Sequence, residues 1–276
     1  MKIAITGSTG FIGSHLCSYF PDVIPLTRKD FETGLLAEKI SQSDIVINLA
    51  GSPIIKRWTK ACRKELVESR LQTTRQVVKA VNESGATHLV SASAIGIYPS
   101  HEPCDESCRE RASDFLADLT AKWEEEAGQC SKRLAIVRFG VVLGKGGGAL
   151  SKMLVPFRLG LGGPIGSGDM IMSWIALEDV ARLMEFIIDS GLTGVLNAVS
   201  PNPVSNREFS KALAGVLHRP AIFPVPEFVL KLIFGQAATV LTASKEVYPR
   251  KAMEAGFRFR FPEIRPALEY ILGTRT

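Results

Sequence analysis

Hydrophobic and polar positions along this chain alternate between two spacings. Residues 2–6, "KIAIT", form a short apolar run that stops at a glycine turn, and "FIGSHLCSYF" beyond it places apolar residues at helical intervals. "VIPL" then reads as a second strand, so the chain opens with a β-α-β unit. The alternation repeats as the strand "DIVINLAG", a long helix through "ELVESRLQTTRQVVKAVNESG", the strand "HLVSAS", the helix "SDFLADLTAKWEEEAG" and the strand "RLAIVRFGVVLG". Short strands alternating with amphipathic helices predict a parallel sheet covered on both faces. Between Leu26 and Ile45 the spacing leaves room for one helix, which predicts an abbreviated sheet on that side.

After Gly144 the texture changes to a glycine-rich stretch with one helix near its start, and "LEDVARLMEFIIDSG" and "GVLNAVS" then return to the sheet pattern. From Ser205 onward, apolar helices alternate with proline-bounded turns. The expected division is a sheet domain over 1–147 and 172–203, with a smaller substrate lobe over 148–171 and 204–276.

Composition narrows the class. With 276 residues, 46% hydrophobic and 22% charged, the chain can bury one large core or one core with a small lobe. The net charge of +5 comes from scattered Lys and Arg rather than blocks, which points to an anionic small molecule instead of nucleic acid. Five cysteines, an odd count with no secretory leader, argue for a reducing cytoplasmic setting. No apolar run reaches the roughly 18 residues of a membrane span. A homodimer is the expected assembly, since closed twofold oligomers are common.

Gly7, Ser8, Thr9, Gly10, Phe11, Ile12 and Gly13 lie directly after a strand and open a helix, the context in which a glycine motif marks a dinucleotide site. The first glycine allows the tight turn, the second lets a pyrophosphate approach, and Gly13 lets helix and strand pack closely. The helix N-terminus supplies amides and positive dipole. At the end of the second strand, where an NAD site usually has Asp or Glu, this chain has Thr27, Arg28 and Lys29. Arg28 suits a 2′-phosphate, so NADP(H) is the expected cofactor.

With "GSTGFIG", "INLAG", "SASAIGIY", "VRFGVVLG" and "SWIALEDVA" in this order, the chain resembles the extended short-chain dehydrogenase/reductase superfamily. "NLAGSPI", "KRWT", "ESRLQTTR", "RLGLGGPIGSG" and "GFRFRFPE" narrow the likeness to the NAD-dependent epimerase/dehydratase family of the YfcH type. The resemblance implies an α/β fold, a Rossmann-type doubly wound parallel sheet with a smaller C-terminal substrate lobe. It also implies that Asn48, Leu49, Ala50, Gly51 and Arg70 lie along the cofactor, and that Ser93 is the hydroxyl orienting the reacting oxygen.

That superfamily carries Tyr-x-x-x-Lys on the following helix. With Glu124 aligned to the family's helix glutamate, Leu116 stands at the tyrosine position and Thr120 at the lysine position. Leucine has no proton to exchange and threonine no charge to lower a neighbour's pKa. Lys122 lies ~200° around the helix from Thr120 and should face elsewhere. Tyr98 is therefore the substitute proton donor to test, with packing at the site mouth as its other reading. Lys56, Arg57 and Trp58, at the carboxyl edge of the sheet, are candidates for an anionic or sugar-like substrate, with Ser173 and Trp174 as the opposite wall. His101, Cys104 and Cys108 suggest a metal site, but no fourth ligand accompanies them, so none is expected. The reading is an NADP(H)-dependent oxidoreductase or epimerase, and the alternative a non-catalytic NADP(H)-binding sensor or interaction module.

Overall fold

The computed structural model describes residues 1–221 and 223–273. Its centre is a six-stranded parallel sheet in the order β2-β1-β3-β4-β5-β9. These strands are β1 (Ile3–Thr6), β2 (Val23–Leu26), β3 (Ile45–Asn48), β4 (His88–Ala94), β5 (Arg133–Phe139) and β9 (Gly194–Ala198); short β6 (Val141–Leu143) pairs with β8 (Trp174–Ala176), and β7 (Ile171–Met172) with β10 (Val204–Ser205). β1 and β3 are buried along their whole length because helices cover both faces, which is why they read as continuous apolar runs. Only β2 lies beyond β1, the abbreviation that the spacing predicts.

The helices are α1 (Phe11–Tyr19), α2 (Arg28–Glu32), α3 (Leu36–Ser41), α4 (Lys60–Asn82), α5 (Phe115–Ala127), α6 (Gly148–Arg158), α7 (Leu177–Ser190), α8 (Asn206–Val216), α9 (Glu227–Phe234), α10 (Thr239–Thr242), α11 (Arg250–Glu254) and α12 (Ile264–Leu272). Side-chain caps start several of them: the Thr59 hydroxyl accepts from the Cys62 amide at α4, and Asp114 from the Ala117 amide at α5. α7 ends at Gly191, whose φ of +66° is the left-handed conformation a helix C-terminus favours.

One expectation needs correcting here. The Leu26–Ile45 segment holds two short helices: a Thr27–Asp30 capping box starts α2, Gly34 at φ +78° interrupts it, and α3 then turns Leu36 and Ile40 inward.

The two largest apolar cores both take in residues of the C-terminal segment, and a third covers the other face of the sheet with Leu26, Leu36, Ile40 and Leu89. The larger gathers Ile3, Ile5, Ile47, Val90, Val137 and the inner face of α7. The second gathers Leu150, Phe157, Trp174, Phe209, Phe261 and the inner face of α12. The chain beyond 204 does not pack as one unit, since Ala252 and Phe257 join the larger core and Phe261 the second. No helix among the described residues is long and apolar enough to cross a membrane.

Candidate functional site

The glycine turn is built to bring backbone close to backbone. A Cβ on Gly13 would lie 2.2 Å from the Gly7 carbonyl oxygen, and Gly7 itself sits at φ +66°. Only glycine fits both positions. Thr9 and Gly10 are exposed at the start of α1, where no side chain caps the helix, so its first amides are presented to the sheet edge. Ser8 is buried and its hydroxyl donates to the Leu26 carbonyl, tying the turn to β2. Ile12 packs into the larger core. The Phe11 ring lies against Gly144, Gly147 and Gly148, where added Cβ atoms would stand within 2.4–2.9 Å of it. The glycines after β6 thus leave room for this ring.

At the end of β2, Arg28 is exposed. The carboxylate nearest in sequence, Asp30, is buried and already engaged: it accepts from the Thr27 amide and hydroxyl at 2.7 and 2.9 Å and meets Lys39 at 2.6 Å. Burial opposes its ionisation, but Lys39 and Thr27 together hold its carboxyl below the usual range. Asp30 therefore cannot turn outward to hold ribose hydroxyls, whereas Arg28 can meet a phosphate.

The turn after β3 rests on a buried polar group. Asn48 is fully buried, accepting from the Thr6 hydroxyl at 2.7 Å and donating to Thr74 at 3.0 Å. Its side-chain hydrogen bonds hold the turn after β3 from beneath. Leu49 packs against the larger core, and the Leu49 and Ala50 amides donate to Thr6 Oγ1. Gly51 is exposed directly above Arg70. The Arg70 guanidinium donates to the Leu66 and Ser52 carbonyls and lies 5.3 Å from the Trp123 ring centre. No carboxylate among the described residues pairs with it, and burial lowers its pKa to about 10. Its charge is thus available to an anion over the Gly51 turn.

Parallel register places Ser93, Arg138 and Asn197 side by side on β4, β5 and β9. Glu124 reaches this row from α5, accepting from Ser93 Oγ at 2.5 Å and from Arg138 Nε and Nη2 at 2.7 Å each. Burial works against the Arg138 charge, but Glu124 keeps its pKa above the ordinary value. Tyr98 closes the network: Arg138 Nη1 donates to its hydroxyl at 2.8 Å, and the hydroxyl donates to Asn197 Oδ1 at 3.0 Å. Only 1% of Tyr98 is exposed, and burial pushes its pKa up to about 12. The structure therefore corrects its expected role as proton donor, since its one proton is spent on Asn197. Ser93, 3% exposed, retains lone pairs but gives its proton to Glu124.

Leu116 faces Gly96, where an added Cβ would be 3.6 Å from its own Cβ, and the buried Thr120 hydroxyl returns to the Leu116 carbonyl at 2.7 Å. Lys122 is exposed on the other side.

The expected substrate walls fare differently. Lys56 is paired with Glu65 at 2.7 Å, and Glu65 also accepts from Ser52 Oγ. Trp58 stacks edge-on against Phe115 and donates to the Ile54 carbonyl, while Arg57 is exposed near Gly235. Arg63 Nη2 donates to Gln236, which brings the C-terminal lobe over this edge of the sheet. Ser173 and Trp174 are not wall residues. Trp174 is fully buried with its Nε1 on the Asn202 carbonyl, and Ser173 Oγ donates to the Lys245 carbonyl and accepts from the Val247 amide. Sequence reasoning missed Arg138 and Asn197, whose pairing depends on strand register. It also missed Lys245, whose half-buried ammonium donates to the Tyr98 carbonyl and whose pKa burial lowers.

Residues 3–198 match the model of the NAD dependent epimerase/dehydratase family, and residues 225–271 match a domain of unknown function. The chain is 38% identical to the mouse epimerase family protein SDR39U1, over 99% of this chain and 100% of that one. It is 34% identical to the epimerase family protein YfhF of Bacillus subtilis, over 100% and 99%. The crystal structure of human SDR39U1 (isoform 2) with NADPH superposes with a TM-score of 0.91 at 33% identity, covering 100% of both chains. The nucleoside-diphosphate sugar epimerase of Corynebacterium glutamicum gives 0.81 at 29% identity, covering 99% of this chain and 58% of that one. With the glycine turn, the Rossmann-type sheet and these full-length likenesses together, the chain belongs to the NAD dependent epimerase/dehydratase family, among the SDR39U1 and YfhF epimerase family proteins.

Proposed function

We propose that this protein binds NADP(H) and acts as an oxidoreductase or epimerase on a small polar or nucleotide-linked carbonyl or alcohol. The observation that carries the reading is the cofactor cradle: a Gly7–Gly13 approach that admits no side chain, an exposed Arg28, and the carboxylate nearest to it in sequence, Asp30, held by Thr27 and Lys39. The residues fit the group. The first amides of α1 would hold the pyrophosphate, Arg28 the 2′-phosphate, and Arg70 would add charge above the Gly51 turn. Human SDR39U1, which this chain resembles along its whole length, was crystallised with NADPH.

The bound nicotinamide would supply or accept a hydride. Ser93 would orient a substrate oxygen, a role that requires its hydroxyl to leave Glu124, while Arg138 holds Glu124 in place. With Leu116 and Thr120 in the usual tyrosine and lysine positions and Tyr98 committed, the proton would pass to water. Arg57 would contribute charge to the substrate side.

The same residues favour a second reading, a non-catalytic NADP(H) sensor, because the structure commits both Ser93 and Tyr98 to the Glu124–Arg138 pair. Fluorescence titration with NADPH and NADH tests the cofactor assignment, and a tenfold or greater preference for NADH would overturn it. Hydride transfer assayed against a panel of carbonyl compounds separates the two readings. An enzyme loses turnover on Ser93→Ala while keeping its cofactor affinity; a sensor shows no turnover with any of them, yet differs in shape or partner affinity between NADPH and NADP+.

A further inference from the structure

The loop over residues 101–110 lies outside the cofactor cradle and joins the sheet to the C-terminal segment. The Cys104 amide donates to the Glu246 carbonyl, and the Cys104 carbonyl accepts from the Tyr248 amide, both at 2.9 Å. At the loop's apex the Glu106 carboxylate accepts from the Asn197 amide at 2.8 Å and the Lys251 amide at 3.2 Å. Between these anchors the chain doubles back, with the Cys108 amide on the Asp105 carbonyl and the Ser107 amide on Asp105 Oδ1. The turn brings the Cys104 and Cys108 sulfurs to 2.7 Å. Cys104 is buried and Cys108 half-buried, and both border an open cleft of about 350 Å³ that Glu102, Glu110 and Tyr248 also line.

Two uses of such a pair can be told apart by geometry. Two thiolates on one tetrahedral zinc, each ~2.3 Å from the metal, stand ~3.8 Å apart. A disulfide requires ~2.05 Å, so these sulfurs need only a small approach to bond, whereas a shared zinc would have to force them apart. Glu102 does bring a carboxylate within 4.8 Å of both sulfurs, but His101, the nearest imidazole in sequence, is turned to Glu110 at 3.6 Å.

We propose that Cys104 and Cys108 form a thiol–disulfide exchange pair that reacts with a small disulfide of the glutathione class. The more exposed Cys108, as thiolate, attacks one sulfur of glutathione disulfide; that S–S bond breaks and one glutathione leaves as thiolate. Cys104 Sγ then attacks Cys108 Sγ, the mixed disulfide breaks, and the second glutathione leaves, taking up the Cys104 proton. Two cysteine thiols are oxidised to one disulfide, and one glutathione disulfide is reduced to two thiols. Burial, then the neighbouring Cys108, Glu102 and Asp105, pushes the Cys104 thiol up to about 12, which makes Cys108 the point of entry. The bond closes the loop that holds Asn197, Glu246, Tyr248 and Lys251, so oxidation stiffens the join between the sheet and the C-terminal segment.

The test uses the full chain, fully reduced and then incubated with glutathione disulfide, alkylated and digested with trypsin. One fragment, residues 80–109, carries both cysteines. The expected result is loss of two hydrogens from that fragment and loss of alkylation at both positions, reversed by dithiothreitol, with Cys104→Ser stopping at a glutathione adduct on Cys108. Full alkylation of both cysteines after the incubation, or adducts in the wild-type chain that never resolve to a disulfide, would overturn the proposal. So would stoichiometric zinc in the purified protein that must be chelated before either sulfur reacts.

Discussion

Ser93, Arg138 and Asn197 show how strand register turns scattered polar residues into one structure. Each is 9% exposed or less. Burying them is tolerable only because Glu124 and Tyr98 satisfy the row. Removing one member strands the rest: Glu124→Ala leaves Arg138 charged and unpaired and is expected to cost about 3–5 kcal/mol in urea unfolding. Glu124→Leu combined with Arg138→Met is expected to cost less than the single alanine change, because it removes both charges together. Gly13 makes a different prediction. A methyl group there meets the Gly7 carbonyl at 2.2 Å, so Gly13→Ala should push α1 away from β1 and weaken NADPH binding by at least about tenfold in a titration. The glycines were legible in the sequence because a chemical requirement falls on adjacent residues. Tyr98 was misread because its partners, Arg138 and Asn197, lie 40 and 99 residues away.

Among the elements, α5 carries leucine and threonine where the resemblance implies tyrosine and lysine. Asp114 caps it, Trp123 anchors it to Thr74 at 2.9 Å, and Glu124 ties it to the sheet, so its packing survives with leucine and threonine in the reactive positions. α2 carries the pH-dependent prediction. Asp30 titrates lower in the folded protein than in the unfolded chain, so its contribution is present above the unfolded value near pH ~4 and is lost as pH falls through the folded value. Asp30→Asn is expected to cost about 1 kcal/mol at neutral pH, as loss of a helix cap does. It should also flatten the acid limb of stability, which urea unfolding at a series of pH values measures. The single helix expected between β2 and β3 became two because the capping box starts α2 at Thr27 and the left-handed Gly34, φ +78°, interrupts the helix before α3.

Across the whole molecule, Trp174 lies at the heart of the second core, against side chains from β6, α6, α8 and α12. Trp174→Ala should cost about 3–5 kcal/mol, read as a lower urea midpoint, because the surrounding elements cannot all collapse into the space. The lobe also returns to the sheet: Ala252 and Phe257 enter the larger core, and Asp179 accepts from the Arg260 and Phe261 amides at 2.8 Å. This lacing keeps the two cores in contact and sets Gln236 over Arg63 at the sheet edge.

Strand and helix order, the parallel sheet, the glycine turn and the preference for Arg28 over a carboxylate are local properties, carried by spacing or by neighbouring residues, and the amino-acid order alone determined them. The burial of Asn48, Tyr98, Ser173 and Trp174 and the approach of Cys104 to Cys108 were decided only by tertiary structure. Burial and hydrogen-bond partnership are pairwise quantities between residues far apart in the chain, and a polar side chain reads the same in sequence whether it faces a substrate or a buried arginine.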